Sequence, residues 1–336
     1  MNVRSRCTGV CALALLLAPL ALWGCSKSHT SPSSLCDNEG DDLIAFASDR
    51  GHAGLYDIFL YDADLGGFRL LKGLHNPAFS DSNPTLSRDG QLIAFVTNRD
   101  GPATSNLYIY ERISCSLLPA PGLRTGHESE PTFSGDTRRL AFVRETGGAR
   151  RIKLVNGGSL TFEALPGLDT VATFNDWSPA PDTTGDRIAF LSDREGGTHL
   201  YLYDRTTQKV DSLNDLRVAG AHVVDPSLTP DAHYLCFASD RAVTGAQGGF
   251  DIYLVDLTTH PRSFVTLTDL NSSGDDRYPR LSHSGSYIAF QSLSPDSTGW
   301  NVRYYVRDVV QGGGHLITPS PLASTGSDIN PSVRLP

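Results

Sequence analysis

The sequence predicts an all-β chain, a single six-bladed β-propeller of four-stranded blades closed by its C-terminal strand, and three observations predict it. An apolar-Ala-Phe phrase recurs six times, as Ile44-Ala45-Phe46, Ile93-Ala94-Phe95, Leu140-Ala141-Phe142, Ile188-Ala189-Phe190, Leu235-Cys236-Phe237 and Ile288-Ala289-Phe290. Its phenylalanines are spaced by 49, 47, 48, 47 and 53 residues, a period typical of propeller blades. Around each phrase the same short apolar runs return between Gly- and Pro-rich turns, with no helical period of useful length.

Each element of the repeat has its own signal. A Pro-x-apolar-Ser/Thr stretch and a tight turn precede the phrase, at Pro84 to Gly90, Pro131 to Asp136, Pro226 to Asp231 and Pro279 to Gly285. Asp89-Gly90 and Ser284-Gly285 supply the positive φ that hairpin turns need. Polar turns follow the phrase, at Ser48-Asp49-Arg50, Asn98-Arg99, Ser192-Asp193-Arg194 and Ser239-Asp240-Arg241. Next come alternating strands such as Ile58 to Asp62, Leu107 to Tyr110, Leu200 to Asp204, Ile252 to Asp256 and Tyr304 to Asp308. Their tyrosines read as packing between blades with a wet hydroxyl. A weaker fourth strand closes each unit, as at Phe68 to Leu71 and Ser263 to Leu267.

The ends of the repeat complement each other. The first unit lacks its proline-containing strand, and the chain finishes on Asp328-Ile329-Asn330-Pro331-Ser332-Val333. That segment is expected to pair beside Leu43 to Ala47, completing the first blade and removing two exposed sheet edges.

Before the repeat, Arg4 and Arg6 precede an apolar run from Cys11 to Trp23, too short for a comfortable membrane span. The run ends at Leu22-Trp23-Gly24-Cys25, which resembles the lipobox of bacterial lipoproteins. It also reads as an ordinary signal peptide. The lipobox resemblance implies cleavage before Cys25 and acylation of its thiol, with Ser26 at the next position directing the protein to the outer membrane. Residues 25–40 then form a Ser-rich tether and residues 41–336 the propeller. The formal charge of −9 becomes −11 once residues 1–24 leave with two arginines and no acid. With no Lys/Arg stripe, this acidity argues against nucleic-acid binding. Of the remaining cysteines, Cys236 fills the Ala slot of its phrase and is expected to be a buried free thiol. Cys36 and Cys115 are candidates for one disulfide, which an exported protein can keep.

The stretch Trp177-Ser178-Pro179 followed by Gly185-Asp186-Arg187-Ile188-Ala189-Phe190-Leu191-Ser192-Asp193-Arg194 and Leu200 to Asp204 resembles the repeat of TolB-like propellers. Blade four departs by extra residues within its Trp-Ser-Pro turn, and blade three by Arg144-Glu145 in place of Ser-Asp-Arg. The propeller follows the tether directly, without the α/β domain of true TolB. The resemblance implies that the crossovers between blades and the turns after Asp-Arg share the face around the channel.

Repetition separates scaffold from site. Asp49, Arg50, Asp193, Arg194, Asp240 and Arg241 recur at one place per unit, so they are assigned to turn capping and local pairing. Directly before the repeat proline stand Asn83, Glu130, Asp225, Tyr278 and Asn330, with Phe174 taken as the blade-four equivalent. The oxygen-bearing members, Asn83, Glu130, Asp225 and Asn330, form a candidate ligand ring at the channel mouth, with Glu130 and Asp225 as Ca²⁺ candidates; the same residues also read as strand caps. His75, His127 and His222 lie in crossovers and are candidate transition-metal ligands, in the manner of metal-dependent propeller lyases, although no family spacing matches. Two insertions, Ala242 to Gly249 and Leu293 to Gly299, add an asymmetric wall to the same face. No Gly-x-Ser-x-Gly elbow occurs, and Gly312-Gly313-Gly314 joins two strands instead of opening a helix, so neither a nucleophilic serine nor a phosphate loop is expected.

These features lead to an expectation of a monomeric envelope binding scaffold, needing no cofactor, whose partner is a protein, peptide or cell-wall glycan. The alternatives are a metal-dependent hydrolase or lyase acting on a sugar or lactone, and an anchored spacer.

Overall fold

The computed structural model describes residues 40–335, apart from 169–172, 242–248, 294–298, 309–312 and 324–325. Contacts divide the chain after Leu35, and the described residues all belong to the second unit. Cys25 and Cys36 lie outside them, as does most of both insertions.

The described residues form six antiparallel four-stranded sheets, each running outward from an innermost strand. The innermost strands of blades two to six are Asp81–Leu86, His127–Phe133, Asp176–Pro181, Val223–Leu228 and Asp275–Leu281. Blade one takes its innermost strand from the other end of the chain. Asp328–Arg334 pairs with Leu43–His52, placing Ile44 opposite Val333 and Ala47 opposite Ile329. The expected closure is therefore present.

Why the phrase is apolar-Ala-Phe follows from packing. Strands alternate the faces to which side chains point, and here both faces are covered by a neighbouring blade, so all three residues are buried. Phe46 packs with Ala289 of blade six, while Ala45 packs with Phe95 of blade two. The same exchange joins Ala94 to Phe142, Ala141 to Phe190 and Ala189 to Phe237. Alanine is the small seat into which the next blade's phenylalanine fits, giving interdigitation at native density. Cys236 takes that seat beneath Phe290. It is free and fully buried, and burial pushes its thiol far above the ordinary range. Cys115 is disulfide-bonded.

The tyrosines do join blades, and three of their hydroxyls are taken up by crossover carbonyls instead of water. Tyr110 donates to Lys72 O at 2.8 Å, Tyr203 to Pro166 O at 2.6 Å and Tyr305 to Thr268 O at 2.8 Å. Each acceptor lies in the crossover from the preceding blade. A buried hydroxyl without a partner is costly, so the ring packs while its oxygen latches the crossover.

The recurrent arginines are structural. Their guanidinium carbons lie over the repeat phenylalanines, 5.3 Å from Phe46 for Arg50, 5.7 Å from Phe95 for Arg99, 5.2 Å from Phe190 for Arg194 and 4.9 Å from Phe237 for Arg241. In blade three Arg144 fills the role, 5.5 Å from Phe142. Four of them also pair with an acid at the start of the innermost strand: Arg50 with Asp328, Arg99 with Asp81, Arg144 with Glu128 and Arg194 with Asp176, at 2.5 to 2.8 Å. In blade five Val223 stands at that position. Arg241 there bonds Ser239 Oγ and Leu216 O instead.

Candidate functional site

Every innermost strand carries the same irregularity. In blade two Ser82 pairs with Val96 and Thr85 with Ala94, so one extra residue is accommodated between them. Equivalent shifts occur between Ser129 and Thr132, Trp177 and Ala180, Val224 and Ser227, and Arg277 and Arg280, and in blade one opposite Ala45 to Ala47. At each bulge the residue before the proline is left-handed: Asn83, Glu130, Ser178, Asp225, Tyr278 and Asn330 have φ between 49° and 56°. Proline disfavours the right-handed helical region for its predecessor, and the short polar Asn and Asp tolerate the left-handed one. Such bulges re-aim side chains. Here they bring all six pre-proline residues, with Arg280, around one narrow cavity of about 30 Å³.

The four predicted ring residues, Asn83, Glu130, Asp225 and Asn330, are thus brought together, with Tyr278. The blade-four member is not Phe174 but Ser178, the residue before Pro179. The extra residues expected within that blade's turn are not there: each pre-proline residue of blades two to six stands 12 positions before its repeat phenylalanine, and 12 before Phe190 is Ser178. Phe174 instead lies in the preceding crossover, its ring 4.6 Å from the Arg194 guanidinium.

The acids of the ring are not equivalent. Glu130 accepts from Arg150 Nη2 at 2.7 Å, and its other oxygen accepts the Ser178 N–H. Arg150 in turn lies 5.0 Å from the Trp177 ring. Asp225 is buried and, among the described residues, accepts only a long bond from the Tyr278 N–H, 3.4 Å. Burial is the main reason its carboxyl is raised to about 6, and the charge of Glu130 adds to this, while Arg280 and Arg277 pull against it. The negative charge of Asp225, with burial second, raises the Tyr278 phenol well above its ordinary value. Burial lowers the Arg280 guanidinium. With Glu130 held by Arg150 and an arginine beside Asp225, the ring has the balanced charges of an internal network.

The histidines remain apart. His75 bonds Ile58 O at 2.7 Å and packs 5.1 Å from the Phe59 ring. His222 is exposed and pairs with Asp240 at 2.7 Å. His127 is exposed at the start of its strand, opposite Glu145. Among the described residues no three His, Cys, Asp or Glu side chains are grouped to hold a metal ion.

Sequence reasoning missed two further features. Beside the ring opens a basin of about 460 Å³, reached from the face where the innermost strands begin. Tyr56, Tyr278 and Trp300 line it, with Ser80, Ser82, Asn83, Gln291, Ile329 and Asn330, and no charged side chain contributes. Gln291 is held in place there, its Oε1 accepting the Asn330 N–H at 2.9 Å. Tyr56 and Trp300 sit outside the repeated phrases, so periodicity did not select them.

The second feature is a further ring two residues along, formed by Thr85, Thr132, Ala180, Ser227, Arg280 and Ser332, which all line a separate cavity towards the opposite end of the channel. Its one signal in the sequence was a departure. Arg280 stands two residues after the left-handed position, where the other blades carry Thr, Ser or Ala.

The profile of the TolB beta propeller domain matches residues 41–299. Among solved structures, TolB from Acinetobacter baumannii superposes with a TM-score of 0.63 at 17% identity, covering 88% of this chain and 67% of that one. A putative TolB from Agrobacterium tumefaciens gives 0.57 at 16% identity, covering 82% and 89%. A puromycin-hydrolyzing peptidase of Mycobacterium tuberculosis gives 0.55 at 13% identity, covering 85% of this chain and 46% of the peptidase. At these identities the likeness is one of fold. The curated proteins give no significant match.

Proposed function

Because the chain belongs to the TolB beta propeller domain family, we propose that it is a binding scaffold of the bacterial envelope, docking a partner on the channel face. The observation that carries this reading is the basin of Tyr56, Tyr278 and Trp300. Its volume of about 460 Å³ falls within the ~300–1,000 Å³ range of ligand sites. Three aromatic rings offer flat apolar area at low entropic cost, and Trp and Tyr are favoured anchors of binding surfaces. The amides of Asn83, Gln291 and Asn330 and the hydroxyls of Ser80 and Ser82 present donors and acceptors without charge. An uncharged mixture of this kind suits the backbone of a peptide segment from an envelope protein, and equally the hydroxyl-bearing face of a cell-wall glycan.

The lipobox-like Leu22 to Cys25 supports attachment to the outer membrane through lipid on Cys25, with the propeller facing the periplasm or the cell surface. Stable anchoring then rests on more than one acyl chain, since a single chain binds only marginally. The metal-dependent alternative has less support, because Glu130 and Asp225 are already engaged by Arg150 and by the field of Arg280. Divalent metal that stays stoichiometric through dialysis would favour it instead.

Crosslinking pull-down of the lipidated protein from its own membranes tests the scaffold reading, with Tyr56→Ala/Trp300→Ala as the comparison. The partner recovered with the wild type should be lost or reduced at least about tenfold with the variant, the scale of one or two anchor residues at ~1–2 kcal/mol each. Equal recovery by both would remove the basin from the docking site.

A further inference from the structure

We infer that the channel end opposite the docking face binds a small oxyanion, a phosphate or carboxylate group, with Arg280 as its principal ligand. The cavity there has a volume of about 130 Å³ and is lined by Arg88, Arg280, His283 and Arg334, with no aspartate or glutamate in its wall. This is unusual in a chain whose formal net charge is −9. The carboxylates Glu130 and Asp225 belong to the other cavity, and Arg280 borders both.

Arg280 is set up to meet a ligand. Its Nη1 donates to Pro279 O at 2.9 Å, and it makes no ion pair of its own among the described residues. Asp225 and Glu130 act on it only as neighbouring charges. A guanidinium keeps its charge under all ordinary conditions, and its planar fork matches the paired oxygens of carboxylate and phosphate. Among the described residues no carboxylate is hydrogen-bonded to it, and the cavity gives an anion room to approach.

The second ring supplies neutral donors for the same ligand. Thr85 Oγ1 accepts the Phe133 N–H at 3.3 Å, Ser227 Oγ the Leu281 N–H at 3.0 Å and Ser332 Oγ the Leu86 N–H at 3.0 Å. Each oxygen is engaged as an acceptor from the next blade, which leaves its hydroxyl hydrogen free to donate. At the rim, Arg88 is exposed and makes no ion pair among the described residues, and burial first, then the charge of Arg88, lowers the nearby His283. Arg334 is committed to Asp41 at 3.0 Å and to backbone oxygens, so Arg88 is the rim charge available to draw an anion inward. The size selects the ligand. A cavity of about 130 Å³ is below the ~300 Å³ of sites that enclose a whole drug-sized molecule, so a small anion or the anionic end of a larger one enters.

The test is calorimetric titration of the mature protein at low ionic strength, with inorganic phosphate and, separately, with succinate. The wild type should saturate with at least one of them below about 10 mM, a modest affinity expected of a single charged site. Arg280→Gln should weaken that binding at least about tenfold and Arg88→Gln several-fold, while Arg280→Lys should retain more than Arg280→Gln. Which anion binds more tightly identifies the phosphate or the carboxylate form of the ligand. Thermal unfolding checks that Arg280→Gln is folded; should it not be, the exposed Arg88→Gln carries the comparison. Absence of saturation with both anions overturns the inference, and so does binding unchanged in the folded variants. Neither result touches the docking basin, which lies in a different cavity.

Discussion

Replacing Asp225 by asparagine should make stability depend less on pH, in a direction that follows from its surroundings. Asp225 is 8% exposed, and burial lifts its carboxyl from 3.8 to about 6. Between those values the folded protein holds a proton that the unfolded chain has released. Its contribution is therefore complete below about pH 4 and is lost as pH rises through about 6. The difference between 3.8 and about 6 corresponds to about 3 kcal/mol. Asparagine cannot ionise, so near pH 4 the variant and the wild type present the same neutral group beside Arg280. By pH 7 the Asp225→Asn protein should be the more stable by up to about 3 kcal/mol relative to that starting gap. Urea unfolding at constant ionic strength, repeated from pH 4 to 7, measures the change in gap, provided the slopes with urea agree. A flat gap would show that burial does not dominate at Asp225. A gap opening the other way would mean that Arg280 and the Tyr278 N–H stabilise the carboxylate more than burial opposes it.

Three further outcomes are expected. Deleting Asp328 to Pro336 removes the innermost strand of blade one and exposes the edge of Leu43–His52, so the melting temperature should fall steeply and unfolding lose cooperativity; an unchanged melting curve would contradict closure. Val223→Asp should give Arg241 the carboxylate that its counterparts have, and a double-mutant cycle with Arg241→Gln should show favourable coupling of about 1 kcal/mol or more; zero coupling would show that the aromatic stack already satisfies the guanidinium. Cys25→Ser should move the protein from the membrane to the soluble fraction, or leave it uncleaved, by removing the proposed lipid site; a normally processed, membrane-bound variant would refute the lipobox reading.

The blade count and the closure were readable because they depend on local patterns. The spacing of six phenylalanines, the proline turns and the missing first strand are all written in linear order. So was the scaffold role of the arginines, since a residue repeated at one place in four of the six blades serves what a blade needs. The ring was legible through Asn83, Glu130, Asp225, Tyr278 and Asn330. Blade four is misaligned only by the expectation of extra residues in its Trp-Ser-Pro turn, since Ser178 stands as far before Phe190 as Asn83 does before Phe95. The hydroxyls of Tyr110, Tyr203 and Tyr305 were misjudged because their acceptors are backbone carbonyls in crossovers, whose paths leave no mark in the order of side chains.

Sequence alone therefore determined the architecture, six four-stranded blades joined head to tail, because burial on both faces of each strand imposes a repeating pattern that a single chain must display. Tertiary structure decided the chemistry. Only the closed ring brings Tyr56, Trp300 and Tyr278 to one basin, and only its geometry sets the buried Asp225 beside Arg280 while Arg280 also borders the second cavity. Tyr56 and Trp300 stand 244 positions apart and Asp225 and Arg280 stand 55 apart, and the energies of such juxtapositions depend on distance and burial, which linear order does not encode.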